Sequence, residues 1–284
     1  MKKSMFLMVA VAMVAACGSE SDVTVADDVR EVTFRVDGDF KMTISEMDLT
    51  RTALTDEGNV MTDLWVFDYM GDELVQTIHQ TAADDGWGQP SIPLKMGAHH
   101  VYFVSSRGTE PTIEGTTMQW VKPSDTFWKD LELNVTATTA NSRTVELDRV
   151  VTRIRVVATD EVPADVATVA VTPAMWYYGI DYRTGEPAVA RHDNERSVAV
   201  LASYIGTQGT LAVNIFGFSG AEWTTDVTVT SKRSDGTVIS SATVSDVPFK
   251  KNRSTEMIGA VFAKVGVNTI TLNDEWLNAF GVEF

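Results

Sequence analysis

A single cysteine, Cys17, in 284 residues excludes an internal disulfide. Histidine is scarce as well, with only His79, His99, His100 and His192. A metal centre needs ligands whose side chains converge. His99 and His100 are adjacent on an alternating stretch, so they face opposite sides. No metal and no cofactor is expected. Basic residues number 23 against 39 acidic ones, a balance that argues against nucleic acid or anionic lipid as a partner. No apolar run in the mature chain approaches the ~20 residues of a membrane helix, and long amphipathic helical periodicity is missing.

Catalytic patterns are equally thin. Gly217-Phe218-Ser219-Gly220 lacks both the Gly-x-Ser-x-Gly spacing and the helix of a nucleophile elbow, and reads as a strand end. Asp37-Gly38-Asp39 and Asp84-Asp85-Gly86 do not continue into the ligand series of a calcium loop and read as turns. In so acidic a chain no carboxylate pair stands out as a glycosidase dyad. The protein is expected not to be an enzyme.

What the N-terminus does contain is Met1-Lys2-Lys3 followed by an apolar stretch from Met5 to Val14, the pattern of an export signal. Val14-Ala15-Ala16-Cys17 then resembles the lipobox of bacterial lipoproteins, which predicts a signal peptide over 1–16 and lipidation of Cys17. Removing Lys2 and Lys3 with the signal leaves 21 basic against 39 acidic residues, a net charge of −18. Gly18 to Asp28 is small, acidic and aperiodic, as suits a tether.

From there the pattern is period two, in Val32-Phe34-Val36, Phe40-Met42-Ile44 and Leu64-Val66 set against Trp65-Phe67-Tyr69, and in eleven later runs. Ser234-Asp235-Gly236 supplies turn chemistry between two Thr/Val/Ser-rich strands and predicts a hairpin over 226–244. The fold class is all-β. The length and the strand spacing of about ten residues suggest two sandwiches. The polar stretch 136–142 precedes the longest apolar alternation, so the division is placed near Arg143 to Asp148. The expected units are 17–51 as lipidated tether and propeptide strand region, 52–147 as an N-terminal sandwich completed by strands within 29–46, and 148–284 as a C-terminal sandwich.

Two features point to assembly. Arg51 sits in a small, polar connection between strands, where proteases cut because the backbone there can unfold into their clefts. Cutting between Arg51 and Thr52 would separate the tether and first strands from everything downstream and expose the groove they had covered, which invites a new strand. At the other end Trp276, Phe280, Val282 and Phe284 recur at spacing two, interrupted only by Asn278. Such a tail can complete its own sheet or enter a neighbour's groove.

Cys17, the Arg51-Thr52-Ala53 junction and the run Asn59 to Asp68 with Gly71 and Leu74-Val75 together resemble the fimbrillin family of type V pili. Val145 to Val156 is similar to the first strand of that family's second domain, and Val247 to Thr255 to its late basic hairpin. The resemblance implies transthyretin-like sandwiches in tandem, outer-membrane export as a lipoprotein, cleavage after Arg51 by an arginine-specific protease, and polymerisation of fimbrial subunits by C-terminal strand insertion. Its implied partners are other fimbrial subunits and a host or bacterial surface ligand. The chain is shorter than the family's shaft subunits and carries two candidate strands before Arg51, which leaves shaft, tip and uncleaved anchor open. A different reading is a monomeric, lipid-anchored glycan-binding protein, with Trp176 and Tyr178 of the aromatic run 175–182 as candidate sugar contacts.

Overall fold

A computed structural model describes residues 29–37 and 61–263, and the backbone of 270–278. Apart from one 3-10 turn at Ala202–Tyr204, every regular element among the described residues is a strand. The expected all-β class holds.

Four sheets form two sandwiches. In the first sandwich, a three-stranded sheet has the order β4 (Ser91–Lys95), β1 (Val29–Asp37), β9 (Ser142–Glu146). It faces a five-stranded sheet of β10 (Asp148–Arg149), β8 (Thr126–Val135), β5 (Gly97–Ser106), β2 (Asp63–Met70) and β3 (Glu73–Thr81), in that order. In the second, the larger sheet runs β20 (Ile270–Asn278), β19 (Arg253–Gly259), β11 (Val151–Ala158), β16 (Ala212–Phe218), β13 (Met175–Asp181), β7 (Thr117–Gln119), β6 (Thr112–Glu114), with β14 (Glu186–His192) also paired to β13. Its partner sheet has the order β15 (Arg196–Ala199), β12 (Thr168–Pro173), β17 (Trp223–Lys232), β18 (Val238–Phe249). The hairpin read at Ser234-Asp235-Gly236 is the β17–β18 connection. Gly236 takes φ +85° there, and the Asp235 carboxylate accepts the Thr237 N–H at 2.8 Å.

The apolar alternation 143–158, which reads as one strand, is three. β9 pairs with β1, β10 with β8, and β11 with β16 and β19. Periodicity registers which face is buried and not which sheet receives it, so a chain stepping between sheets without losing its alternation looks continuous. Likewise β7, within 52–147, pairs with β13 of the second sandwich, Met118 standing opposite Ile180, and β6 pairs with β7 on its outer side.

β2 explains how the two sandwiches meet. Leu64 and Val66 face the first core, where they lie with Phe103, Leu133 and Val145. Trp65, Phe67 and Tyr69 on the other face are also buried, in a separate cluster with Trp120, Tyr182 and Phe218. Phe67 stacks on Tyr182 with centroids 3.9 Å apart, Trp65 meets Trp120 edge-on, and the Tyr69 and Tyr182 hydroxyls are 2.8 Å apart. The Trp128 indole N–H donates to the Tyr182 carbonyl at 2.7 Å. Gly185 is required beside it, because at φ +72° a Cβ would come within 2.8 Å of the Trp128 ring. At the rim Arg149 makes a buried two-point pair with Asp125, at 2.6 and 3.1 Å, and donates to Asn252 of the β18–β19 turn at 3.0 Å. Arg149 thus fastens the β8–β10 end of the first sandwich to the second.

An aromatic seam of this size couples the two units. Guanidinium unfolding followed by tryptophan fluorescence and by circular dichroism is expected to give one coincident transition, and Phe67→Ala to lower the unfolding free energy by about 3–5 kcal/mol. Separate transitions for the two sandwiches would contradict the coupling.

Burial first, and then the hydrogen bond with Tyr69, hold the Tyr182 phenol well above its ordinary value of 10.0. A raised phenol means that the folded state keeps its proton where the unfolded chain loses it. The associated stability is present below pH 10 and is lost as pH rises through the folded value. The unfolding midpoint is therefore expected to fall steeply above pH 10, and less steeply in Tyr182→Phe. Equal slopes for the two proteins would count against this assignment.

Candidate functional site

The site built from the sequence's assembly features is the slot that β1 fills. β1 reads Val-Arg-Glu-Val-Thr-Phe-Arg-Val-Asp, apolar at every second position from Val32, so one side is committed to a core. Val32 and Phe34 are 0% exposed and Val36 is 5% exposed. Phe34 packs edge-on against Phe103 with centroids 5.4 Å apart. Around them stand Ile92, Leu94, Val101 and Val145.

β1 is the middle strand of its sheet. Residues 29–33 run antiparallel to β4, from Val29 opposite Lys95 to Thr33 opposite Ser91. Residues 33–37 run parallel to β9, from Thr33 opposite Ser142 to Asp37 opposite Glu146. On the other flank of this second half, the Phe34 and Val36 amides donate to the Pro90 and Gly88 carbonyls, both at 2.9 Å. The outward face is polar. Ser91 donates to Glu31 at 2.8 Å and its hydroxyl lies 3.3 Å from that of Thr33, while Arg30, on the inward parity at the strand's start, donates to the Ala137 carbonyl. β4 and β9 have no pairing with each other among the described residues, so this sheet exists only through β1.

β4 carries little sequence signal, because Pro93 interrupts Ser-Ile-Pro-Leu-Lys. A proline without an N–H is tolerated on the outer strand of a sheet, and only Ile92 and Leu94 betray the buried face. Behind β4, the buried His99 ring bonds Asp68 at 2.6 Å and the Lys95 carbonyl at 2.9 Å, tying the β4–β5 turn to β2. His100 faces Asp130 instead, at 3.3 Å.

Cys17, Arg51, Thr52, Phe280, Val282 and Phe284 lie outside the described residues. Trp276 falls in β20, whose backbone pairs with β19 from Gly259 opposite Ile270 to Arg253 opposite Asn278, with an irregularity between Ser254 and Glu256. Residues 270–278 therefore form the outermost strand of their own sheet. The candidate sugar contacts are corrected outright. Trp176 and Tyr178 are both 0% exposed, and Trp176 packs against Phe249 and Trp223 inside the second core, so neither presents a face to a glycan.

Comparison with known proteins supplies a family. Residues 120–280, more than half of the chain, match the model of a family of unknown function, DUF6562. The chain belongs to DUF6562. No curated protein matches. Among solved structures, a proposed adhesin from Bacteroides ovatus is similar with a TM-score of 0.50 at 12% identity, over 90% of this chain and 97% of that one. The tip fimbrial protein Mfa3 from Porphyromonas gingivalis, truncated at its C-terminus, gives 0.45 at 10% identity, over 86% and 98% of the two chains. At such identities the Bacteroides ovatus likeness shows a shared fold. The DUF6562 match runs from Trp120 of the seam through β8 to β20, taking in three strands of the first sandwich and all of the second except β6 and β7.

Filling the slot carries a measurable weight. Burying each of three apolar side chains stabilises by roughly 1.5–3 kcal/mol. Phe34→Ala is expected to cost about 3–5 kcal/mol in chemical denaturation, whereas Thr33→Ala on the outward face should cost under about 1 kcal/mol. Similar losses for both would show that β1 is not anchored by its inward side chains.

Proposed function

We propose that this DUF6562 protein is a non-enzymatic structural subunit of a cell-surface, fimbria-like adhesive assembly, with β1 as a removable place-holder strand. The observation that carries the reading is the position of β1. It is the central strand of its sheet, supplied from upstream of the connection that holds Arg51, and its three inward side chains fill the first core. Cleavage between Arg51 and Thr52 converts β1 from a covalent part of the sandwich into an exchangeable ligand. Loss of β1 leaves β4 and β9 as two unpaired edges flanking an apolar slot, which an extended strand from another subunit would fill with main-chain hydrogen bonds. Export as a lipoprotein through Cys17 supplies the cell-surface location. The resemblance to fimbrillins and the fold shared with a proposed Bacteroides ovatus adhesin support the same role.

The pairing of β20 with β19 favours one particular place in such an assembly. Residues 270–278, paired along β19, are not at the same time seated in a neighbour's groove. A subunit that receives a strand and keeps its own tail stands at the end of a filament, as a tip adhesin or an anchor would.

The test is to treat the full precursor with an arginine-specific protease and follow it by N-terminal sequencing and native gels. A new N-terminus at Thr52, absent in Arg51→Ala, with β1 of the trimmed protein exchangeable for an added strand peptide, is the expected result. Deleting 276–284 then distinguishes the two roles. Ladders lost on deletion mean that the tail is the donor strand, and trimmed protein that binds an added strand peptide without self-assembling means a terminal subunit. Trimmed protein that neither oligomerises nor exchanges β1 overturns the proposal.

A further inference from the structure

At the edge of the second sandwich where β14 and β15 face each other, three observations centre on Tyr178. The first is charge. The Arg191 guanidinium, from β14, lies over the Tyr178 ring at 4.6 Å, and the Arg196 guanidinium, from β15 in the opposite sheet, lies 5.9 Å from the same centroid. Neither makes an ion pair among the described residues. Glu195, beside Arg196, is committed to Lys232 at 2.5 Å. In a chain with 39 acidic residues, two half-buried arginines with no carboxylate partner stand out against the usual pairing of buried charge.

The second is unmet hydrogen bonding. The Tyr178 hydroxyl and Arg196 Nη1 are both buried with no partner, and Tyr178 is 0% exposed. A buried donor left unmet costs roughly 1–3 kcal/mol, more when it is charged. The third is backbone strain. Val189 stands opposite Tyr178 in the β13–β14 ladder, between the pairs Tyr177–Ala190 and Gly179–Ala188, and takes φ +58°. For a β-branched residue that conformation is strongly disfavoured, and such strain collects at functional positions.

We propose that Arg191, Arg196 and the Tyr178 hydroxyl form a binding site for an oxyanion, either a carboxylate or a sulfate or phosphate group. The guanidinium fork matches two oxygens of such a group, and the phenol donates to a third contact. Two positive charges attract the anion into a region with no competing carboxylate on either arginine. The long aliphatic stems of Arg191 and Arg196 cover the sandwich edge and admit the group by turning outward. The site is independent of β1 and of any strand exchange.

The test titrates the full chain with sodium sulfate, sodium phosphate and sodium acetate against sodium chloride at matched ionic strength, reading the unfolding midpoint. A saturable rise with at least one oxyanion is expected, and the oxyanion that gives it identifies the source chemistry. Arg191→Gln and Arg196→Gln should each weaken the apparent affinity tenfold or more, whereas Arg143→Gln, on an exposed residue of β9, should leave it unchanged. A rise that never saturates and is equal in all variants is general salt exclusion and overturns the proposal, as does no rise with any oxyanion. If the glutamine variants do not fold, crystals of the unaltered protein soaked in selenate decide. Anomalous density beside Arg196 Nη1 supports the site, and its absence there overturns it.

Discussion

Strand β2 has no solvent face, and most of the architecture follows from that. Its even and odd side chains enter different cores, Leu64 and Val66 on one side and Trp65, Phe67 and Tyr69 on the other. A strand of this kind has to be roofed twice. The first sandwich supplies one roof through β1, β4 and β9, and the second supplies the other through β7, β13 and β16. The short β6–β7 excursion is intelligible on the same ground. Met118 and Trp120, both 0% exposed, are carried out of the first half of the chain to finish the aromatic layer. The sandwiches are consequently less like beads on a string than like three stacked cores, with the aromatic one in the middle.

Against that fixed frame, the sheet holding β1 is the removable part. The five-stranded sheet is locked on its far face by the seam, on its near face only by a three-stranded sheet whose centre comes from upstream of residue 61. Taking β1 away costs the burial of three side chains and the main-chain bonds on both its flanks, while leaving β2, β5 and β8 held from behind. A structure arranged in this way loses a strand without losing its frame. That asymmetry is what a subunit needs if one strand is to be exchanged, and it is why the seam bears on function despite containing no candidate site residue.

The fold class was legible because period-two alternation is strong wherever one face of a strand is buried, and β1, β11, β16 and β17 all announce themselves in that way. The Ser234-Asp235-Gly236 hairpin was legible because turn chemistry is local. What could not be read was which sheet each strand joins. Val145, Arg149 and Val151 enter three different sheets within seven residues, and no local property of valine or arginine encodes that. β4 was hidden by Pro93, and β14 by weak alternation and the strained Val189. The tryptophan content misled in a specific manner. Trp176 shares a face with Tyr178, as alternation requires, but alternation is silent on whether that face meets solvent or a second sheet.

The dimensions of the slot bear on which strand could fill it. β1 presents Val32, Phe34 and Val36, a large residue between two small ones, with Phe34 at the deep position against Phe103. The C-terminal sequence has the opposite order, Phe280, Val282, Phe284. Laid in the same register, Val282 would leave a void beside Phe103 and the two phenylalanines would overpack the positions of Val32 and Val36, each error costing about 1–3 kcal/mol. A slide of two residues puts Phe280 or Phe284 into the deep pocket and removes the first error, at the expense of one apolar contact at an end of the strand. A one-residue slide is forbidden, because it turns every apolar side chain outward. In-register self-donation is thus disfavoured by shape, and the strand that best fits this slot has a valine–aromatic–valine core. Shape therefore weighs against an in-register strand from a second copy of this chain, and a two-residue slide is the register that such a strand would need.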